Sequence, residues 1–229
     1  MGLSIIGVDA IEEKLCHSLL KRKISPWEKL IVSLISTNLV MQNSSMNGKI
    51  LIHLSEADRE NLHQLRDDLE SMRENPSHEE IVKIFALGPI LRLAGMAKYP
   101  FLPKAEHIIE IDTSYEDRDQ EAVIIRGRID ILISHENLWA IVIETKRSAS
   151  SALEALPQTL TYMMASTGNS LPIYGLCTNG ADFIFVKLVK GDVNQYALSD
   201  PFSIYRHAHN ELHDVVNILK RLGTIVTQS

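Results

Sequence analysis

The hydrophobic rhythm of the chain changes once. Up to about residue 75, apolar positions recur at helical spacing. Ile11, Leu15, Leu19 and Leu20 mark a stripe over residues 8–22, and Pro26 suits the first turn of a second segment running to about Met41. Residues 56–73 are highly charged but keep Leu62, Leu65 and Leu69 on one face, which predicts an amphipathic surface helix. Asn75-Pro76-Ser77 interrupts the pattern. Ser77, with Glu80 three residues later, reads as a capping box for a helix over residues 78–95, which Gly88-Pro89 must bend or split. From residue 105 the alternation becomes that of strands: residues 106–113, then 121–133, then 138–146. A polar loop at 114–120 and a turn at 135–137 join them, and such short connections make neighbours antiparallel. A helix over 150–166, started or interrupted by Pro157, comes next. Strands over 172–178 and 182–189 follow, joined at Asn179-Gly180, and then a helix over 203–221.

This order predicts an α/β domain with a mixed central sheet over residues 76–229, preceded by a helical N-terminal extension over residues 1–75. A length of 229 residues fits one domain with an extension, and is enough to bury a core without a disulfide or structural metal. Apolar residues at 45% and charged residues at 23% are ordinary for a globular chain and exclude a disordered tail. Cys16 and Cys177 form no disulfide framework, so a reducing cytoplasm is the expected setting. The first residues lack the basic and apolar regions of a signal peptide. The most apolar stretch, residues 30–41, is too short to span a bilayer and contains Ser33, Ser36, Thr37 and Asn38, so no membrane association is expected. The net charge of −6 excludes a nucleic-acid binder held by bulk positive charge, but leaves room for a local basic groove.

The candidate chemistry lies on two adjacent strands. Alternation turns Arg126, Arg128 and Asp130 to one face and Ile125, Ile129 and Ile131 to the other. Glu144 and Lys146 share a face at the end of an apolar strand. A turn near 135–137 sets Asp130 roughly opposite residues 142–144, so two carboxylates and an ammonium converge. Burying such charges costs several kcal/mol per ion unless they are paired or hold a metal. Asp130, Glu144 and the strand-end carbonyl of Thr145 suit Mg²⁺, with Mn²⁺ able to substitute. A metal there would polarise a phosphoryl oxygen and lower the pKa of a bound water, while Lys146 would steady the attacking water or the developing charge. From these residues alone, a simple strand-end ion-pair network is the competing reading.

Further motifs extend the pattern: R-G-R-I-D at 126–130, a spacer of thirteen residues, V-I-E-T-K at 142–146, Q-T-L-T-Y at 158–162 and L-C-T-N-G at 176–180. Residues 78–190 thereby resemble the PD-(D/E)xK nuclease superfamily, in particular its RecB-like members with a QxxxY motif and the N-terminal nuclease region of type I restriction R subunits. The resemblance implies a restriction-endonuclease-like αβββαβ core, Mg²⁺ dependence and DNA cleavage. It makes Asp130 and Glu144 metal ligands, Lys146 the catalytic lysine, and Gln158 and Tyr162 the pair that orients the site. Ile129 stands where the family's name places proline. There is no GxxxxGK[ST] motif, so nothing here moves DNA with ATP.

Other residues have two readings. Glu80, with Glu79 beside it, could supply a further metal-binding acid from the first core helix, or could simply cap that helix. Arg126, Arg128 and Arg147 could bind DNA phosphates; Arg126 and Arg128 could instead balance Glu110, Asp112, Glu116 and Asp117. His207, His209 and His213 look like metal ligands at first sight, but H-N-E-L-H is not HExxH, so a solvated helix face is expected. Lys14, Lys21, Arg22 and Lys23 read as a helix end. The leading expectation is a Mg²⁺-dependent, restriction-like DNA endonuclease with weak, salt-sensitive DNA binding. The alternatives are a non-catalytic nucleic-acid-binding or assembly module, and a repair exonuclease or junction-resolving nuclease. One active site cuts one strand, so the expected partners are DNA, a second copy of the chain in a homodimer, or a larger restriction or repair assembly.

Overall fold

Strands dominate the computed structural model, which describes residues 39–41, 54–75, 77–113, 123–136, 138–167, 171–192 and 194–228. They are β1 (Leu39–Met41), β2 (Phe101–Thr113), β3 (Val123–His135), β4 (Leu138–Thr145), β5 (Ile173–Thr178), β6 (Asp182–Val189), β7 (Asn194–Leu198) and β8 (Phe202–Ser203). The sheet order is β1-β7-β6-β5-β4-β3-β2, with β8 beside β6. Neighbours are antiparallel from β2 to β4 and from β5 to β7, whereas β4 pairs with β5, and β1 with β7, in parallel. The sheet is therefore mixed. Its parallel centre is buried on both faces, so β4 and β5 read as nearly continuous apolar runs. Pro103 is accommodated because β2 ends the strand order, where one side of a strand needs no ladder donor.

The described helices are α1 (Glu56–Ser71), α2 (Glu79–Val82), α3 (Gly88–Leu93), α4 (Leu156–Ala165) and α5 (Leu212–Thr227). A π-helical turn, Lys83–Leu87, joins α2 to α3, and a 3₁₀ turn, Ala152–Ala155, leads into α4. One apolar cluster packs α1, α3 and α5 on one sheet face, through residues such as Leu62, Ile90 and Leu219 against Ile141, Ile143 and Phe185. A second packs α4 on the other face, through Leu160 and Met163 against Leu132, Val142 and Val186.

Several sequence expectations need correction. Leu39–Met41 is a strand beside β7 and not the end of a helix; the remaining helical readings before residue 54, and the basic cluster from Lys14 to Lys23, lie outside the described residues. Ser77 caps nothing. The N-cap of α2 is His78 without a side-chain bond, while the Ser77 N–H donates to Ser148 Oγ at 2.7 Å and its carbonyl accepts the Ser148 N–H. Ser77 thus ties the start of α2 to the loop after Lys146. The last helix begins at Leu212, not near 203, because β8 and a turn come first, and Glu211 Oε2 accepts the Ser203 N–H. His207 and His209 consequently lie outside it, His209 paired with Asp214, while His213 meets the His63 ring edge-on. Among the described residues, no group of three His, Cys, Asp or Glu side chains is arranged to hold a metal.

Candidate active site

The site forms where β3 and β4 part. Their pairing places Ile131 opposite Ile143, which brings Asp130 beside Glu144. Strict alternation fails here: Ile129 joins the α4-side cluster, while Ile131 packs against the opposite one. The facing position in β2 is distorted as well, since Glu106 has a φ of 54°. This left-handed conformation disfavours side chains other than glycine, and it interrupts the pleat where the charged groups gather.

Bonds within the site fix both carboxylates. Asp130 Oδ2 accepts the Thr145 N–H at 2.8 Å and the Thr145 hydroxyl at 2.6 Å. Glu144 Oε1 accepts the Asp130 N–H at 3.1 Å. The Lys146 N–H donates to the Thr178 carbonyl, so the start of the next loop stays attached to β5. Glu144 is only 1% exposed. Burial first, and then the Asp130 carboxylate, push its pKa up to about 9, against the opposing pull of the Asp130 N–H, Lys146 and Lys83. Opposite Glu144 on β5, burial pushes the Cys177 thiol up to about 12, which excludes a reactive thiolate.

Helix α4 supplies the remaining groups. Pro157 lies in its first turn, where a missing N–H costs nothing. Gly175 lets the helix approach β5: a Cβ there would lie 2.6 Å from Thr159 Cγ2 and 2.8 Å from Met163 Sδ. At this distance Gln158 and Tyr162, four residues apart, reach the sheet end. Lys146 Nζ donates to Gln158 Oε1 at 3.2 Å, and Gln158 Nε2 donates to the Tyr162 hydroxyl at 2.8 Å. The Arg128 N–H donates to the same hydroxyl at 3.3 Å. A polar chain therefore runs from the lysine across α4 and back to β3.

Not every expected residue joins this group. Glu80 is exposed on α2. Arg126 pairs with Glu110 at 2.9 Å, and Arg128 with Glu106 at 2.7 Å, both on the exposed surface; Arg147 is exposed in the loop after Lys146. Thr145 reaches Asp130 through its amide and hydroxyl.

Sequence reasoning missed Lys83 and Glu106. Lys83 Nζ lies 2.8 Å from Asp130 Oδ1 and 2.9 Å from Glu106 Oε1. Burial pulls the Lys83 pKa down, but the two carboxylates outweigh it and hold the ammonium above its usual value. No spacing rule links residues 83, 106 and 130. The sequence offered no signal beyond a lysine within the helix predicted over residues 78–95.

No protein-family description matches the chain, and no curated protein does. Among solved structures, it is similar to a fragment of a protein assigned as the HsdR subunit of a type I restriction enzyme from Vibrio vulnificus YJ016. The TM-score is 0.39 at 15% identity, over 48% of this chain and 21% of that one. The match thus spans about a fifth of that fragment's length. No helix among the described residues is long and apolar enough to cross a membrane.

Proposed function

We propose that the chain is a Mg²⁺-dependent DNA nuclease with a restriction-endonuclease-like core. The supporting observation is that β3, β4 and α4 carry two hydrogen-bonded groups side by side, Asp130 with Glu144 and Lys146 with Gln158 and Tyr162, the second returning to β3 through the Arg128 N–H. The residues fit a hard divalent ion. The donors are all oxygen, and the buried Glu144 beside Asp130 is a carboxylate that an added cation would let ionise. Asp130 and Glu144 would hold the ion, with the Thr145 carbonyl as a further candidate ligand. When bound, it would polarise a phosphoryl oxygen and acidify a water.

The chain's own groups do the positioning. Thr145 holds the Asp130 carboxylate in one rotamer, and the Asp130 amide holds Glu144. Gln158, itself anchored on Tyr162, points the Lys146 ammonium along the sheet end, where its charge would face negative charge developing on phosphate. Arg126, Arg128 and Arg147 are candidates for flanking phosphates, and DNA is the partner this reading implies.

Cleavage of supercoiled plasmid in Mg²⁺ or Mn²⁺ tests the reading. Lys146→Ala is expected to lower the rate by about a hundredfold or more. Equal cleavage by wild type and Lys146→Ala would overturn the assignment.

A further inference from the structure

We propose that Lys83 is a built-in cation that competes with a divalent metal for Asp130 and so weakens metal binding to a set level. This rests on the reading of Asp130 and Glu144 as metal ligands. Both lone-pair directions of Asp130 Oδ2 are already taken, by the Thr145 amide and hydroxyl. Oδ1 is the oxygen left to face an incoming ion, and Lys83 Nζ sits 2.8 Å from it. A metal and an ammonium on one carboxylate oxygen repel each other, and within a partly buried site that repulsion is only weakly screened.

Lys83 is not a loose surface lysine that swings aside freely. Its side chain is 15% exposed, and it projects from the first residue of the π turn, an irregularity that alters which residues of this helical segment face the sheet. Glu106 holds it from the other side. That glutamate keeps its left-handed backbone and is itself clamped, through its second oxygen, by Arg128 at 2.7 Å. Lys83 therefore bridges two carboxylates. As a metal approaches Asp130, the ammonium can give up that contact and keep Glu106, so its charge is never left unpaired. Glu106 is the resting partner, and Asp130 is the contested one.

A purely structural role for Lys83, tying the helix to the sheet, predicts the opposite effect of its removal. Without the lysine, Asp130 would be less well placed and metal would bind more weakly. Calorimetric titration of Mn²⁺ into the full chain separates the two. Lys83→Met is expected to bind Mn²⁺ about tenfold more tightly than wild type, because the competing charge is gone. Lys83→Arg, which keeps the charge, should stay within about threefold of wild type. Asp130→Asn should abolish the heat in every background. Melting curves without metal check that each variant is folded, and Lys83→Gln replaces Lys83→Met if the apolar side chain is not tolerated. If the neutral variant binds Mn²⁺ no more tightly than wild type, the competition is overturned while the metal site stands. If no form binds Mn²⁺, the metal reading fails and the competition fails with it.

Discussion

The two faces of the sheet are covered differently. On one, α1, α3 and α5 close over an apolar layer that includes Leu62, Ile90, Leu219 and Leu222. On the other, α4 covers Leu132, Val142 and Val186, and beyond them the covering turns polar at Glu144, Lys146, Gln158 and Tyr162. The difference shows where the fold can tolerate chemistry. Under the three helices the layer is apolar, whereas beside α4 the polar groups have neighbours that hold them by hydrogen bonds. Glu144 marks the site. It is as buried as the apolar core, yet it is an acid. The other buried acid among the described residues, Glu211, is paired with Arg206 and the Ser203 N–H.

The largest expected effect separates the faces by pH. Glu144 titrates near 4.5 when unfolded and at about 9 when folded, with Asp130, Lys146 and Lys83 around it. A raised folded pKa means that the unfolded chain gives up a proton which the native state keeps. The Glu144 contribution is therefore fully present below about pH 4.5 and is lost as pH rises toward about 9, with a slope of at most about 1.4 kcal/mol per pH unit. Urea midpoints of wild type minus Glu144→Gln, followed from about pH 5 to 9, should fall steadily. Parallel profiles would show that the acid ionises normally.

Next in size is a truncation on the other face. Leu219→Ala should cost about 2–5 kcal/mol of stability, since Leu219 of α5 is fully buried in the apolar layer. The Mn²⁺ affinity of the folded protein and the pH slope should not change. If either moves, the faces are coupled and the comparison breaks down.

The smallest effect is expected for Tyr162→Phe. It removes the hydroxyl that accepts bonds from Gln158 and Arg128, at about 1 kcal/mol of stability. Plasmid cleavage should fall severalfold through a loosened Gln158, far less than for Lys146→Ala. A loss as large as that of the lysine variant would mean that Tyr162 touches the substrate and does more than position Gln158.

Much of the site's framework follows from short-range periodicity. Residues 126–130 and 142–146 alternate as strands, so a hairpin near residue 136 suffices to bring Asp130 beside Glu144, and the observed pairing of Ile131 with Ile143 does so. Gln158 and Tyr162 share a helix face because they are four apart. The failures have a common physical origin. Ser77 has the right neighbours for a capping box, but Ser148, seventy-one residues on, takes its amide. β7 and β8 are too short to carry a clear period of two, and they become strands through their pairing with β6 and, for β7, with β1.

The sequence by itself determined the α/β class, the strands that carry the two acids, and the helix that carries Gln158 and Tyr162. These depend on repeats of two and 3.6 residues, which local backbone geometry enforces. Only the tertiary structure decided that alternation slips at Asp130, that Glu106 turns left-handed beside it, and that Lys83 spans the two. The Lys83 contact joins a helical segment to a strand forty-seven residues away in the chain, and no local period records such a contact.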